Sequence, residues 1–398
     1  PSRLLARAET ALDVRQASKR RSCGQIRRRM VRSALLRAKR ALLLALILLG
    51  SIEGGQDDAD RLEALRRGCG GLCSTEVRDD AVFCDESRDD FFVACWLHKT
   101  VDCDGLWSNA DIDALGTWPP PAWPPAEMEE AFALGGMRPV EMFGRGLLCG
   151  GPLCTETKEG QVPTQYLGKD AKDGVWSEAM LEEMVGDARR GVLEGTYGVT
   201  ETNRVRRALR ELDLEEKTIL VIGSERPWLE ACLLEAAAFH IVTIEYATIT
   251  STHPQVSTLT PSEARARWLD GSLPAFDAVV SFSSVEHSGL GRYGDALNPW
   301  GDIQQIGRAW CATKPGGVML LGVPIGPVDK VWWNAHRHYN DASLPHLTAN
   351  WRQTWQGEDY DHPDKHPVML FVREDSLSPT EATTSPTEAT TSPTEATT

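Results

Sequence analysis

Residues 218–246 constrain the fold of this chain more than any other stretch. An apolar run of strand type ends at Gly223, an alanine-rich helical segment follows, and a second apolar run ends at Glu245. Glu245 lies 22 residues after Gly223, close to the ~20 residues that separate the glycine turn from the ribose-binding acid in a dinucleotide-binding fold. The pattern predicts a strand–helix–strand unit of a parallel sheet.

The glycine turn of this unit is the predicted site of an adenosine-containing ligand. Such a ligand lies across the carboxyl ends of parallel strands, where a turn without a bulky side chain lets it approach the backbone. We expect it to bind over Gly223, Ser224 and Glu225. Glu245 is expected to accept hydrogen bonds from both ribose hydroxyls.

Two further apolar runs extend the predicted sheet. Residues 276–282 end in small polar residues, and Lys-Pro-Gly-Gly at 314–317 leads directly into the run 318–323. The alternation of strand-type and helix-type segments predicts an α/β domain over residues 196–373, with a mostly parallel sheet covered by helices on both faces. A predominantly antiparallel sheet would contradict this prediction. The predicted strands are 219–222, 241–244, 278–282 and 318–322.

The order of these segments resembles the class I S-adenosylmethionine-dependent methyltransferases. The shared pieces are the glycine turn, a strand followed by the pair Glu286-His287, a helix, and Lys-Pro-Gly-Gly before another strand. The resemblance implies a Rossmann-like methyltransferase-type sheet and S-adenosylmethionine as the cofactor. Val221 stands where these enzymes usually carry an acid, two positions before the first glycine. The implied cofactor-binding residues are Gly223, Ser224, Glu225, Glu245 and Ser283.

A longer resemblance covers residues 196 to about 339. Its unusual strings are VIGSERPWLEA, SSVEHSGLGRYGDALNPWGDI, KPGG and WNAHRHY. They are similar to the family called domain of unknown function 268, first described in nematodes, which resembles methyltransferases in fold and has no settled activity. The resemblance therefore implies the fold more strongly than it implies a reaction.

The pair Glu286-His287 is the predicted catalytic site, because the end of a strand is where an α/β sheet places its ligand crevice. His287 is a candidate general base that deprotonates a hydroxyl or an amine as the methyl group arrives. A packing role for His287 over the adenine fits the sequence equally well. For Glu286, capping of a helix or turn is the favoured interpretation.

Two polar segments are predicted to line the substrate site. The loop 288–302 contains several glycines beside polar side chains, and residues 334–339 concentrate imidazoles and other hydrogen-bond donors. An anionic or sugar substrate fits such a surface, although a purely structural polar loop explains 288–302 as well. His336 and His338 lack a fixed third ligand in the sequence, so we predict no metal site. The predicted substrate-binding residues are Arg292, Tyr293, Asn334, His336, Arg337 and Tyr339.

Two functions from different classes fit these patterns. The first is a methyltransferase of the secretory pathway that acts on an unknown acceptor: a glycan, a small metabolite or a protein side chain. The second is a non-catalytic secretory protein that keeps this fold and binds a glycan or a protein partner. Glu245 and the pair Glu286-His287 favour the enzyme, whereas Val221 and the sparse glycine turn favour the binding protein. A nicotinamide-dependent oxidoreductase is a weaker third interpretation, because the turn lacks the Gly-x-Gly-x-x-Gly fingerprint.

Charge is distributed unevenly along the chain. Residues 1–40 carry a net charge of +11 in a chain whose formal net charge is −15, so the remainder carries −26. Binding of nucleic acid calls for a basic face. The acidic body therefore disfavours DNA or RNA as a substrate.

A basic and then apolar leader opens the chain. The apolar run 41–52 has 12 residues, fewer than the ~20 of a membrane-spanning helix, and small residues follow it as in a signal peptide. We predict that residues 1–55 direct the chain to the lumen of the endoplasmic reticulum or Golgi, or to secretion. A short uncleaved membrane anchor is the competing interpretation. Met30 opens an ordinary basic leader, so residues 1–29 are expected to be an upstream extension or an artefact of gene prediction.

Cysteine usage indicates the same compartment. Seven of the ten cysteines lie between Cys69 and Cys154. In an oxidising lumen these would form about three disulfide bridges and leave one cysteine over. Zinc is the weaker interpretation, because the spacing lacks paired Cys-x-x-Cys units. Cys232 and Cys311 fall inside the α/β pattern and are predicted to be plain core residues.

Composition divides the rest of the chain into regions. Residues 56–127 are an acidic, cysteine-rich region that ends in a proline linker, 128–195 are a helical lead-in, and 196–373 form the α/β domain. The tail, 374–398, contains SPTEATT three times, and these repeats have no large apolar residue. The tail is therefore predicted to be disordered and to carry O-linked sugars. N-glycosylation is not expected, because the sequence has no Asn-x-Ser/Thr site.

Overall fold

The computed structural model describes residues 56–77, 81–84, 95–116, 121, 123–142, 174–357 and 366–375. The leader 1–55 and the SPTEATT repeats lie outside these ranges, as do Cys149 and Cys154. The predictions made for those segments therefore stay predictions.

Within the described ranges the chain forms short strands in its first half and longer ones in its second. The strands are β1 (Val82–Cys84), β2 (Cys95–Leu97), β3 (Val140–Met142), β4 (Gly174–Trp176), β5 (Thr218–Ile222), β6 (His240–Ile244), β7 (Ile249–Ser251), β8 (Val256–Leu259), β9 (Phe276–Phe282), β10 (Thr313–Gly322), β11 (Lys330–Trp333), β12 (His336–His338), β13 (Trp351–Gln356) and β14 (Val368–Arg373). The α-helices are α1 (Gln56–Cys69), α2 (Cys103–Ser108), α3 (Ala126–Phe132), α4 (Glu178–Arg190), α5 (Gly198–Arg210), α6 (Trp228–Glu235), α7 (Pro261–Leu269), α8 (Gly301–Ala312) and α9 (Leu344–Leu347).

Seven of these strands form one sheet, in the order β13-β14-β10-β9-β5-β6-β8. All neighbouring pairs from β8 to β10 are parallel, and β14 runs antiparallel to both β10 and β13. The prediction of a mostly parallel sheet is confirmed. Each of the four predicted strands lies within an observed one, namely β5, β6, β9 or β10.

Helices cover both faces of this sheet, as predicted. Successive residues of β5 point to opposite sides. Ile219 packs in a core with Leu181 of α4, and Leu220 packs in a second core with Ile306 of α8.

Because both faces are buried, the central strands are apolar at most positions. The buried polar residues Thr243 and Ser281 are hydrogen-bonded, to Glu230 and to the Ile222 carbonyl.

Local sequence signals set the ends of the helices. At the start of α7, the Thr260 hydroxyl accepts from the Glu263 N–H, and the Glu263 carboxylate accepts from the Thr260 N–H at 2.7 Å. This capping box satisfies two backbone donors, and Pro261 takes the first helical position. Helix α4 ends at Gly191, whose φ of 72° is a left-handed conformation that favours glycine.

The cysteine-rich region packs directly against the α/β domain. Leu65 of α1 shares a hydrophobic cluster with Trp300 and Ile303, which lie at the start of α8. A disulfide between Cys103 and Cys311 also joins α2 to α8. The first of the described helices thus form part of the layer that covers one face of the sheet.

Cys311 differs from its prediction. It is not a plain core residue, because it forms a disulfide with Cys103, 208 residues earlier in the chain. The sequence did not show this pair, since it depends on the packing of α2 against α8. Cys232 is buried and unpaired, in agreement with its predicted core role. The predicted use of cysteines in disulfides is confirmed by this bridge and by Cys69–Cys73.

None of the helices in the described part of the chain combines the length and the apolar character needed to cross a bilayer. The apolar run 41–52 lies outside that part. Its interpretation as a signal peptide or an anchor therefore stays a prediction.

Candidate functional site

The predicted ligand crevice lies where the order of the sheet reverses. From β5 the chain continues outward through β6 and β8, then returns to form β9 and β10 on the other side of β5. Ligands of open α/β sheets bind outside the carboxyl ends of the strands at such a switch point. The segments that follow β5, β6 and β9 therefore meet at one edge of the sheet, and they contain most of the predicted site residues.

The turn after β5 is closely packed. Gly223 has a φ of 74°, a left-handed conformation, and its N–H donates to the Ile244 carbonyl at 2.9 Å. A Cβ atom on Gly223 would collide with the Ser284 hydroxyl. The turn and the segment after β9 are therefore in direct contact, and a larger residue at 223 would disturb the fold as well as any ligand.

Glu245 lies beside this turn at the tip of β6. Its Oε2 accepts from the Ser224 N–H at 2.8 Å, and its Oε1 accepts from the Tyr246 N–H at 2.7 Å. Burial raises the pKa of Glu245, although these backbone donors oppose the shift. The Ala247 N–H is a third backbone donor to this carboxylate, which leaves one of its four lone-pair sites for a ligand hydroxyl. Glu225, in contrast, is exposed.

A second carboxylate lies beneath the turn. Glu230 of α6 is fully buried, with Oε2 2.8 Å from Ser224 Oγ and Oε1 accepting from the Thr243 hydroxyl at 2.6 Å. The Ser224 hydroxyl has one proton but two acceptors, since it also lies 3.0 Å from the Arg226 carbonyl. A proton on Glu230 satisfies both contacts. Burial raises the pKa of Glu230 to about 7, in agreement with this assignment.

We expect protonation of Glu230 to make stability depend on pH. The folded protein holds this proton up to about pH 7, whereas the unfolded chain releases it near 4.5. The stabilisation is complete below pH 4.5 and is lost as the pH rises through 7, by about 3 kcal/mol in total. Glu230→Gln keeps both hydrogen bonds and cannot ionise. Its unfolding free energy relative to the parent, from urea denaturation, should therefore increase steadily between these pH values.

A matched substitution separates this effect from general charge removal. Glu183→Gln removes a carboxylate from the exposed face of α4. Its unfolding free energy should stay within about 0.5 kcal/mol of the parent's, as is usual for an exposed site. A difference between Glu230→Gln and the parent that does not change with pH would show that Glu230 is ionised in the folded protein.

A chain of hydrogen bonds leads from the surface to Glu286. The Tyr197 hydroxyl lies 2.5 Å from Ser283 Oγ, and the Ser283 hydroxyl donates to Glu286 Oε1 at 2.7 Å. Since the single Ser283 proton goes to the carboxylate, the Tyr197 hydroxyl donates to Ser283. Ser283 has a φ of 51°, a strained conformation for a residue other than glycine. Strain of this kind is often found at functional sites.

Glu286 is fully buried and yet ionised. Burial opposes ionisation, but the imidazoles of His287 and His366 and the Ser283 hydroxyl outweigh it and lower the pKa of Glu286 to about 2. His366 Nε2 lies 3.4 Å from Oε1. The second oxygen, Oε2, is buried and has no hydrogen-bond partner among the described residues. Buried carboxylate oxygens normally have a donor, so this atom is a candidate ligand contact.

His287 lies between Glu286 and Arg292. Its Nδ1–H donates to the Ala335 carbonyl at 2.6 Å, and its Nε2 lies 3.5 Å from Glu286 Oε1. Burial lowers the pKa of His287 to about 4, against the opposing charge of Glu286. At neutral pH the ring is therefore neutral and can accept a proton at Nε2. The carboxylate beside it would stabilise the resulting imidazolium.

Arg292 and Tyr293 lie near this pair on the loop 288–302. Arg292 Nη1 is 3.2 Å from His287 Nδ1 and donates to the Ala335 carbonyl at 3.1 Å. Its guanidinium stacks over Tyr293, 5.3 Å from the ring centre. Burial raises the pKa of Tyr293 to about 12, and the charge of Glu286 adds to the shift. Both predicted substrate residues are thus within electrostatic range of the predicted catalytic pair.

The loop 288–302 is held by Asp295. Its carboxylate accepts from the N–H groups of Gly289 at 2.6 Å, Tyr293 at 3.1 Å and Gly291 at 3.4 Å. Burial raises the pKa of Asp295, and these backbone donors oppose the shift. The loop is therefore an ordered wall of the site.

Asn334 and His336 lie in the hairpin formed by β11 and β12. Asn334 is buried at the turn with a φ of 58°, and the next residue supplies the carbonyl that holds His287. His336 Nε2 is 2.9 Å from His338 Nε2, and the His336 ring centre lies 6.1 Å from that of His287. The described residues contain no group of three or more side chains suited to hold a metal ion.

Arg337 and Tyr339 lie beneath the site and are fully buried. Arg337 Nη1 donates to the carbonyls of Glu286 at 3.2 Å and Ser288 at 2.6 Å. The Tyr339 hydroxyl donates to Asp302 Oδ2 at 2.9 Å. These contacts fix the backbone that carries Glu286. The role in substrate binding predicted for the two residues stays a prediction.

Three residues of the site are not indicated by the sequence patterns: Tyr197, Glu230 and His366. A charge inside the apolar helical run WLEACLLE was the one signal for Glu230. Tyr197 and His366 lie 89 and 80 residues from Glu286, in segments without a motif. Their rings are 4.9 Å apart, and only the fold brings them together.

A separate cavity lies at the opposite edge of the sheet. Its volume is about 420 Å³, and its lining includes Leu214, Asp277 and Lys314, near the amino ends of β5, β9 and β10. Ligands of open α/β sheets bind at the carboxyl ends, so this cavity is distinct from the predicted crevice.

The order of the strands defines the class of the fold. From β8 to β13 the sheet follows the doubly wound order 3-2-1-4-5-6, with β14 inserted antiparallel before the last strand. This is the methyltransferase-type Rossmann-like sheet that the resemblance implies. The protein has a class I methyltransferase-type fold.

The family resemblance is also confirmed. Residues 216–374 match the family described as "Caenorhabditis protein of unknown function, DUF268". This range contains the glycine turn, the pair Glu286-His287 and the β11–β12 hairpin. No curated protein matches the chain.

Several solved structures are similar to part of the chain. The 1,6-didemethyltoxoflavin-N1-methyltransferase of Burkholderia thailandensis is 14% identical, covers 50% of this chain and 91% of its own, and has a TM-score of 0.33. The N-methyltransferase NodS of Bradyrhizobium japonicum WM9 is 13% identical, with coverages of 44% and 98% and a TM-score of 0.31. The [4+2]-cyclase SpnF is 14% identical, with coverages of 43% and 81% and a TM-score of 0.30. Likenesses at this level carry no argument about the reaction of this chain.

Proposed function

We propose that this protein is an S-adenosylmethionine-dependent methyltransferase. The observation that carries the proposal is the position of Glu245, which contacts the Ser224 N–H at 2.8 Å at the switch point of the sheet. A nucleoside site needs an acceptor for ribose hydroxyls beside a turn that exposes its backbone. Glu245 and the Gly223–Ser224 turn supply these two parts.

The residues of the crevice fit the nucleoside end of this cofactor, since the Glu245 carboxylate accepts only from backbone donors of the described chain and keeps a lone pair for a ribose hydroxyl. When bound, S-adenosylmethionine supplies an electrophilic methyl group. His287 receives a proton from the acceptor at Nε2, and Glu286 stabilises the charge that forms on the ring. Alignment of the acceptor by the surrounding loop supplies much of the remaining rate.

Glu245→Ala should weaken binding of S-adenosylhomocysteine by about 1.5–3 kcal/mol, or about 10–150-fold. The physical reason is the loss of a charged acceptor for the ribose hydroxyls. Calorimetric titration of the purified protein measures the change. Thermal unfolding of the same samples shows whether the turn at Ser224 survives the loss of its own hydrogen bond.

Glu183→Gln, on the exposed face of α4, serves as the control and should bind like the parent. If the parent binds no adenosine ligand, the cofactor assignment fails and the fold alone remains.

A non-catalytic secretory protein is the second candidate. One observation favours it: the Ser284 hydroxyl occupies the space beside Gly223, and Val221 is a buried apolar residue at the end of the strand. The turn is therefore narrow and lacks an acid. Such a protein would bind a glycan or a protein partner, and binding of S-adenosylhomocysteine without transfer to any acceptor would support it.

We further propose that the protein works in the secretory pathway and not on nucleic acid. The disulfides Cys69–Cys73 and Cys103–Cys311 support an oxidising compartment, and the acidic body disfavours a phosphate backbone as partner. In non-reduced protein from cells, mass spectrometry should recover both pairs as cross-linked peptides. Free thiols at all four positions would contradict the proposal.

A further inference from the structure

Two charged groups of the site are only partly engaged by the described residues. Glu286 is ionised and fully buried, yet its Oε2 has no hydrogen-bond partner among the described residues. Arg292 is half-buried, and no carboxylate of the described chain lies within ion-pair distance of it. Its polar contacts among the described residues are His287 and the Ala335 carbonyl, and its guanidinium lies over the Tyr293 ring. Buried carboxylate oxygens normally have a donor, and a guanidinium at the edge of a site is a ready partner for a carboxylate or a phosphate.

The two groups lie on either side of one imidazole. His287 Nε2 is 3.5 Å from Glu286 Oε1, and His287 Nδ1 is 3.2 Å from Arg292 Nη1. The ring separates the two groups, and no ion pair joins Glu286 to Arg292 in the described part of the chain. The site therefore offers a negative and a positive group that are separated by the width of one side chain.

The walls around Glu286 suit a cation. The Tyr197 ring lies 5.9 Å from Phe282 and 4.9 Å from His366, whose Nε2 is 3.4 Å from Glu286 Oε1, so a cluster of aromatic rings adjoins the carboxylate. Aromatic faces attract ammonium groups, and the attraction increases where water is excluded. Tyr197 is 43% exposed, so this wall connects the carboxylate to the surface.

From these observations we infer that the acceptor of this site is a small molecule that carries both an amine and an anionic group. The amine donates to Glu286 Oε2, and the anion binds Arg292. A neutral sugar, an alcohol or a simple amine has no anion, so each would leave the Arg292 guanidinium without a counter-charge. The inference rests on the proposed function for the reaction, but binding of the acceptor is testable without it.

Matched probes test the inference on the parent protein. γ-Aminobutyrate carries both groups, propylamine lacks the carboxylate, and 4-hydroxybutyrate replaces the amine with a hydroxyl. 3-Aminopropylphosphonate distinguishes a phosphonate-type anion from a carboxylate. Saturation-transfer NMR should show that γ-aminobutyrate binds at least about tenfold more tightly than propylamine or 4-hydroxybutyrate, as expected for one charged hydrogen bond each. Glycine should bind less well than γ-aminobutyrate, because an imidazole ring separates the two protein charges.

Two substitutions test which protein residue binds the anion of the ligand and which binds its amine. Arg292→Gln should weaken γ-aminobutyrate about tenfold or more and leave propylamine unchanged. Glu286→Gln should weaken both amines and leave 4-hydroxybutyrate unchanged. Exposed residues of α4 provide the controls Arg189→Gln and Glu183→Gln, which should bind all probes like the parent.

The outcomes separate this inference from the proposed function. Equal binding of γ-aminobutyrate and 4-hydroxybutyrate by the parent overturns it, as does the absence of binding by every amine, and neither result needs a variant to fold. If S-adenosylhomocysteine binds and the amines do not, the inference fails and the methyltransferase proposal stands. If the amines bind as expected and S-adenosylhomocysteine does not, the acceptor site stands and the cofactor assignment fails.

Discussion

His287→Ala is expected to reduce turnover by about 10²–10⁴-fold while leaving the affinity for S-adenosylhomocysteine nearly unchanged. The neutral ring accepts the acceptor's proton at Nε2, and no other described imidazole lies within 4 Å of Glu286 except His366. Turnover is measured as S-adenosylhomocysteine formed with γ-aminobutyrate as the acceptor. Because burial lowers the pKa of His287 to about 4, the acid limb of the parent's profile attributable to this base should lie near pH 4.

His287→Asn is the matched control for structure. Its amide can donate to the Ala335 carbonyl, as Nδ1–H does in the parent, but it cannot act as a base at neutral pH. It should fold like the parent and lose the same turnover as His287→Ala. Full activity of either variant would assign His287 a packing role, which the sequence left equally open.

The strands of the central sheet could be predicted because the sequence of each strand itself shows the apolar pattern of a buried strand. Each of the strands β5, β6, β9 and β10 contains a mostly apolar run, and two-sided burial by α4–α6 and α7–α9 favours such runs. The antiparallel β14 was not predicted as a strand, although its sequence VMLFVR is also an apolar run; its antiparallel place beside β10 is set by tertiary packing. The disulfide of Cys311 was missed for the same reason, because its partner lies in a distant segment.

The sequence predicts those residues of the candidate site that lie directly after the carboxyl end of a strand. Glu245 meets Ser224 because neighbouring parallel strands place their carboxyl ends at one edge. Glu286 and His287 follow the same rule. Tyr197 and His366 do not, because they come from the start of α5 and the segment before β14, whose approach to β9 is decided by tertiary packing. For Arg337 the sequence suggests a role for which the described residues show no contact. Its charge indicates a ligand contact, whereas its guanidinium contacts backbone carbonyls and Asp302.

Asp302→Ala is expected to lower the free energy of unfolding by about 3–5 kcal/mol. Asp302 is fully buried at the start of α8, where its Oδ2 accepts from Arg138 at 2.8 Å and from the Tyr339 hydroxyl at 2.9 Å, and Arg337 Nε lies 3.4 Å away. Burial opposes ionisation of Asp302, but the two guanidinium charges outweigh it and keep its pKa low. Removal of the carboxylate leaves two buried positive charges without a counter-charge.

Urea denaturation of the purified, disulfide-intact protein measures this loss of unfolding free energy. Tyr339→Phe is the variant with which the loss is compared. That substitution removes one neutral donor to the same oxygen and should cost only about 1 kcal/mol. Asp302→Asn keeps the shape and an acceptor oxygen but removes the charge, so its loss should fall between the other two. The ranking of the three variants by lost stability bears on function, because Arg337 also donates to the Glu286 carbonyl at 3.2 Å. If Asp302→Ala costs no more than Tyr339→Phe, the ion pairs contribute little, and the support of the Glu286 backbone must come from elsewhere.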